Sequence, residues 1–359
     1  MTAGTAAAAG DAGFLGRHKG ILIAAKVFLS LALFAYVVAK VSPGNVWATI
    51  EPADPRLLAA AAALFLFSSF VGSWLWGRLL RAQGVPIPYR KVAGYYFVGL
   101  FFSNFLPSNV GGDITRISDA AKHSGRVSPV FSATLMERLI GVVSIGFLAV
   151  LASIAALPRL PLYGIYAVLL LVFLMAVGAF LSVFHRKVLH AFEWPFRAIG
   201  ARAVADAMER LFDDMHGFKT QGGALTAAFL ASTVVQISRI YVHYLVGLSL
   251  GVRIAAGYYF LFVPMLAALV SLPISLNGLG VREGAAVVLF GLAGLTREQA
   301  FTVPFLTYLI SVVISLLGGL IFISRTPRRA LAERRERNRA EAARSGAAGS
   351  VGSGETERT

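Results

Sequence analysis

Long uncharged apolar stretches alternate with short basic ones along most of the chain. The first runs over about Gly20–Val41. The second, Leu57–Leu80, contains LLAAAAALFLFSSFVGSWLWG. Val92–Gly112 is apolar but interrupted by Pro107 and Gly111–Gly112. Pro129–Leu157 is a long run holding Glu137–Arg138, and Leu162–Phe184 is free of charge. Gly223–Leu250 carries Gln236, Arg239 and His243. Ile254–Val281 again ends in Pro and Gly, a shorter piece spans Gly284–Leu295, and Phe301–Ser324 is the last run. Runs of about 20 apolar residues suffice to cross a hydrocarbon core of ~30 Å as helix. The pattern predicts an all-α polytopic membrane protein, with about eight apolar helical segments by hydropathy and a membrane domain over residues 20–324.

The intervening segments read differently. Residues 1–19 are rich in Ala and Gly and lack the order of regions that marks a cleaved signal, so they are expected to be a disordered N-terminus. Residues 185–222 are charged, yet Val204, Met208, Leu211, Phe212 and Met215 recur at helical spacing, which predicts an amphipathic helix at the membrane surface. Residues 325–359 are Arg-rich and then Gly/Ser-rich, and are expected to be a disordered tail.

Composition narrows the class. Hydrophobic residues are 57% and charged residues 14% of the chain, against about 25% charged in soluble domains. Mean hydropathy is +0.71. A soluble enzyme, a secreted domain and a disordered chain are excluded. With no cysteine there is no disulfide and no thiolate chemistry. The six histidines form no HxxxH pair, so neither a metal site nor a cofactor is expected. The net charge of +15 points to anionic membrane lipid as the partner rather than nucleic acid.

Charge also orients the chain. Of 33 lysines and arginines, 25 lie in the N-terminal segment, the loops over 78–91, 116–126 and 186–219, and the tail. Six lie in the other loops, and Arg138 and Arg239 fall inside apolar runs. The positive-inside rule then puts both termini in the cytoplasm of a multi-pass protein of the cell membrane. The loops on both sides of Val92–Gly112 are basic, so that segment is expected to enter from the cytoplasm, turn and return. Ile254–Leu295 is expected to do the same from outside. The expected total is six full spans and two re-entrant elements.

The two interrupted segments resemble each other. Ala93-Gly94-Tyr95-Tyr96-Phe97 recurs as Ala256-Gly257-Tyr258-Tyr259-Phe260, and Leu106-Pro107 as Leu272-Pro273. Arg116 and Arg282 each lie nine residues after their proline, and Asp113 and Glu283 each add a carboxylate nearby. The reading is an inverted repeat over about 92–138 and 255–308, a transporter architecture with its site near the midplane.

Chemistry concentrates in these places. In FSNFLPSNVGGDITR, Pro107 frees backbone donors, while Gly111 and Gly112 allow close approach beside Asn104, Asn109, Asp113 and Arg116. Freed amides beside an arginine suit a phosphate. SLPISLNGLGVREG offers Pro273, Asn277, Gly278, Gly280, Arg282 and Glu283, expected to face a cavity opening outward. Charges within spans are functional candidates because burying them in hydrocarbon is expensive. These are Glu137, Arg138 and Arg239, with His243 on the same face as Arg239. A purely structural ion pair between Glu137 and Arg239 is the alternative.

On FFSNFLPSNVGGDITR, FSATLMERLIGV and LPISLNGLGVREG the chain resembles the transmembrane region of lysylphosphatidylglycerol synthases, a flippase-like membrane family. The resemblance covers about residues 20–325. It implies a lipid-translocating module that moves a phospholipid or related amphiphile between leaflets. In the full synthase a soluble aminoacyl-transfer domain follows, whereas only about 35 polar residues follow Ser324 here, so the synthase activity is not implied.

The expected function is therefore ATP-independent flipping of an anionic phospholipid or lipid-linked amphiphile, without enzymatic activity. Arg116, Arg138, Arg239 and Arg282 would attract the headgroup, and Asp113, Glu137, His243 and Glu283 would balance charge or couple to protons. Two alternatives stay open: a membrane transferase acting on a lipid-linked sugar or phosphate, and an accessory subunit of a lipid-synthesis complex. A lipid-synthesis enzyme and a second copy of the chain are the protein partners considered.

Overall fold

The computed structural model describes residues 43–105, 111–158, 163–185, 202–271 and 280–352. A short helix, α1 (Pro43–Ile50), precedes α2 (Pro55–Ala82). Asp54 starts α2: its carboxylate accepts the Arg56 N–H at 2.8 Å, and Pro55 fills the first turn, where no donor is needed. Next come α3 (Tyr89–Phe105), α4 (Gly111–Ser124), α5 (Val127–Ala156) and α6 (Tyr163–Ser182). The helix α7 (Arg202–Gly217) passes through a 3-10 turn, Phe218–Thr220, into α8 (Gly222–Ser249). The described chain ends with α9 (Ala256–Ser271), α10 (Val281–Gly291) and α11 (Arg297–Gly352).

Among the described residues, five stretches are long and apolar enough to cross a membrane: α2, α5, α6, α8 and the part Arg297–Arg325 of α11. The protein is a multi-pass helical membrane protein. The apolar run Gly20–Val41 lies outside the described residues, as do Pro107, Asn109, Pro273, Asn277 and Gly278. The helices beside those prolines are short, with 17 and 14 residues in α3 and α4 and 16 and 11 in α9 and α10. At ~1.5 Å per residue none of the four covers a ~30 Å core. The amphipathic segment of the charged loop is helical as α7. The last helix does not stop at Ser324 but runs to Gly352, through sequence expected to be disordered. That stretch is rich in Ala, Glu and Arg, which are strong helix formers.

Two long helices form the axis. α2 and α8 lie against each other and run antiparallel. At one end the Asp54 N–H donates to the Ser249 carbonyl at 3.0 Å. At the other, Gln83 Nε2 donates to the Asp214 carbonyl at 2.6 Å, just before α8 begins. Around this axis α3 packs on α4 and α11, and α9 packs on α10 and α5. α4 packs on α5, and α10 on α11. α2 touches α3, α5 and α11, while α8 touches α9, α11 and α5. α7 leans on α5, and α1 on α11. α6 rests on α5 and turns Leu170, Leu171, Leu174 and Met175 outward, as lipid contact requires.

The apolar interior is in two parts. One cluster gathers Leu75, Trp76, Leu79, Leu80, Met136 and Phe218. It lies at what is here termed the basic end, near Arg78, Arg81, Arg90 and Lys91. The other cluster gathers Phe65, Val246, Tyr259, Phe262 and Phe290. Between them, near the middle of α2, α5 and α8, the buried residues include Ser68, Ser69, Ser73, Ser144, Ser232 and Ser238 beside the apolar Ile140, Val235 and Ile240. The Ser68 and Ser69 hydroxyls donate to the Phe65 carbonyl at 2.7 and 3.0 Å. Small residues at this level let the helices approach closely. The bundle therefore has apolar ends and a waist in which buried serines are mixed with apolar residues.

Candidate functional site

The turn between α4 and α5 makes a helical hairpin, which sets residues at similar distances from the turn side by side. Arg116 on α4 and Glu137 on α5 meet this way, with Arg116 Nη1 2.7 Å from Glu137 Oε2. One turn earlier on α4, Asp113 Oδ1 accepts from Arg116 Nε at 3.1 Å. Its other oxygen, Oδ2, accepts from Arg138 Nε at 2.7 Å. Two arginines and two carboxylates thus form one chain of ion pairs with no net charge. The alternative pairing of Glu137 with Arg239 does not occur; Glu137 pairs with Arg116 instead. The hairpin delivers Arg116 to the depth of Glu137, whereas Arg239 comes from the axis helix α8.

Arg116 is nearly inaccessible, at 6% exposure. Its guanidinium lies 4.9 Å from the centre of the Trp76 ring and 5.4 Å from that of Tyr96. Such contacts are worth ~2 kcal/mol when desolvated. Trp76 is itself held by its Nε1, which donates to Thr134 Oγ1 at 3.0 Å. Gly99 and Gly112 bring α3 and α4 together. A Cβ on Gly99 would lie 2.9 Å from the Gly112 carbonyl, and one on Gly112 would run into the Gly99 carbonyl and Ser103 Oγ. By contrast, half of the Arg138 side chain is exposed.

Arg239 occupies the waist without a carboxylate among the described residues. Its guanidinium lies 5.8 Å from the Phe65 ring centre, and its Nε is buried with no hydrogen-bond partner. One turn before it, Gln236 Nε2 donates to the Gly141 carbonyl at 3.3 Å. One turn after it, His243 Nδ1 lies 3.0 Å from the Arg239 carbonyl, a bond that a neutral ring protonated at Nδ1 satisfies.

At the N-terminus of α10, Gly280 takes a φ of 80°. Glu283 reaches back so that one oxygen accepts the Gly280 N–H at 2.7 Å, while the other pairs with Arg282. Arg282 also covers the Tyr308 ring at 4.4 Å. Glu283 was expected to face an outward cavity, but it is fully buried. A carboxylate at that position is drawn to the unpaired N–H groups of the first turn. Asn104, at the end of α3, reaches towards the Ser311 hydroxyl on α11.

Trp76, Tyr96 and Tyr308, which cover the arginines, were not among the sequence candidates. An aromatic in an apolar run carries no sign of what it faces. Arg325 was missed because it opens the Arg-rich segment read as a disordered tail. It lies 5.1 Å from the Tyr95 ring centre and 4.0 Å from Asp119, and fills the space above Gly94. A cavity of about 420 Å³ opens beside Thr49, Pro52, Leu250 and Glu298, away from the ionic chain.

Known proteins resemble this chain in sequence. The family described as lysylphosphatidylglycerol synthase TM region matches residues 23–319. The UPF0104 membrane protein PH1989 of Pyrococcus horikoshii is 25% identical over 308 residues, covering 77% of this chain and 91% of that protein. Glycosyltransferase AglD of Haloferax volcanii is 24% identical over 340 residues, 84% of this chain. The chain spans only 54% of AglD's length. No solved structure matches.

Proposed function

The chain belongs to the lysylphosphatidylglycerol synthase transmembrane-region family, and from that premise we propose that it flips an anionic phospholipid or related lipid-linked amphiphile across the cell membrane. It does so without ATP and without catalysing a reaction. The observation that carries this reading is the waist, where buried serines, Gln236 and the cation of Arg239 sit midway along the spanning helices. A headgroup crossing hydrocarbon loses its hydration, and polar side chains at that depth replace part of it.

In this reading the basic end is cytoplasmic, with both termini on that side. The architecture is six spans and two re-entrant elements in an inverted repeat. Support comes from the packing. Exchanging α1 with α7, α2 with α8, α3 with α9, α4 with α10 and α5 with α11 maps each contact around the axis onto another one. The antiparallel course of α2 and α8 supports the inversion. Arg282 and Glu283 then stand in the second copy where Asp113 and Arg116 stand in the first. The partners are membrane lipids, with a lipid-synthesis enzyme or a second copy as protein partners.

The test is reconstitution into liposomes holding a fluorescent phosphatidylglycerol, with a membrane-impermeant quencher added outside. Purified protein should let the quencher reach lipid from both leaflets. Quenching that stays at the outer half, as in empty liposomes, would overturn the proposal. The second reading, a transferase acting on a lipid-linked sugar, draws on the name of AglD and on the buried carboxylate Glu137. Transfer of labelled sugar by the purified chain would favour it.

A further inference from the structure

Arg325 ends the membrane-crossing part of α11 at the basic end. Its guanidinium lies 5.1 Å from the ring centre of Tyr95 on α3 and 4.0 Å from Asp119 on α4. It fills the space where a side chain on Gly94 would stand. From this point the seam between α3 and α11 runs inward. Gly318 lies against the Phe97 carbonyl and Gly319 against the Phe101 ring, both so closely that a Cβ would collide. Phe102 and Phe322 meet edge to face at 5.2 Å. At the deep end, Asn104 Nδ2 lies 3.4 Å from the Ser311 hydroxyl. One side chain at the mouth thus fastens three helices, with a polar pair at membrane depth behind it.

The fastening is loose. The Asp119 carboxylate stands beyond hydrogen-bond length, and Arg325 Nη1 is buried without a hydrogen-bond partner. A partly exposed ion pair of this kind contributes little to stability. The second copy of the AGYYF segment has no such fastening, because no described atom lies within 4 Å of a Cβ on Gly257. The matching helices α3 and α9 are therefore held differently, one clamped at its glycine and the other open there. Inverted repeats that take opposite conformations close one mouth and open the other. We infer that Arg325 is a latch: seated on Gly94, Tyr95 and Asp119, it holds shut the basic-end mouth between α3, α4 and α11. Its release lets α11 part from α3 and admits water as far as Ser311. This rests on the proposed function in taking the two repeats to alternate. A loose contact suits the role, since the two states of such a device must lie close in free energy.

Cysteine accessibility tests this, since the chain has no cysteine of its own. The reporter is S311C in membrane vesicles with the basic end outward, a sidedness that labelling of K122C verifies. The probe is a membrane-impermeant cationic methanethiosulfonate. R325A, checked for monodispersity, should raise S311C modification at least fivefold over the parent, and D119N should raise it by a smaller factor. In a second measurement, D119C and R325C are joined by a short bifunctional methanethiosulfonate. The cross-linked protein should flip fluorescent phosphatidylglycerol at least tenfold more slowly than before cross-linking, and dithiothreitol should restore the rate. Unchanged S311C modification in a monodisperse R325A overturns the latch, and so does undiminished flipping by the cross-linked protein. A protein that flips no lipid in any form, yet shows the fivefold rise in R325A, would sink the flipping reading and leave the latch standing.

Discussion

Glu137 meets Arg116 at 2.7 Å, and Arg239 has no counter-ion among the described residues. Asp113 has two arginines, whereas Glu137 has one. The consequences of removing each charge are therefore unequal. R116Q strands Glu137 in the interior, while E137Q leaves Arg116 on Asp113. Breaking a buried pair costs about 3–5 kcal/mol. R116Q should accordingly lower the thermal midpoint in detergent more than E137Q does. The double variant should recover part of the R116Q loss. Strictly additive losses would contradict the contact.

The glycines of the repeated AGYYF segment are predicted to respond in opposite ways. A Cβ on Gly94 would collide with the Arg325 guanidinium, while one on Gly257 meets nothing within 4 Å. G94A should displace the Arg325 guanidinium, the free end of a flexible side chain, from Tyr95 and Asp119 and destabilise by at most about 1 kcal/mol. G257A should be neutral or stabilising by about 0.5–1 kcal/mol, since alanine is the better helix former. Thermal unfolding of the two variants in the same detergent checks this.

Orientation is open to direct labelling because the chain has no cysteine. Lys122 and Arg297 are both exposed, at the C-terminal end of α4 and the start of α11. With a membrane-impermeant maleimide on intact cells, K122C should stay unlabelled until the cells are permeabilised, whereas R297C should label at once. Labelling of K122C from outside would refute the cytoplasmic assignment of the basic end.

The long helices were legible because hydrophobic length is a property of a single segment. The run Leu57–Leu80 became Pro55–Ala82, and Leu162–Phe184 became Tyr163–Ser182. The α4–α5 hairpin was less legible. The sequence marks Glu137 and Arg116 as unusual, but which charges meet depends on which helices abut. That is decided by contacts such as Gly99 against Gly112, between segments that no local pattern connects. The waist escaped notice for another reason. Ser68, Ser69 and Ser144 are common residues in spanning helices, and only their shared depth gives them meaning.

The two apolar clusters have no residue in common. Damage at one end should therefore be invisible to the other. Phe218 and Phe290, each fully buried, anchor opposite clusters. Truncating both to alanine should sum their individual losses within about 0.3–0.5 kcal/mol, as for sites that share no neighbours. In mechanical terms the molecule is two caps fastened at opposite ends of one pair of rods.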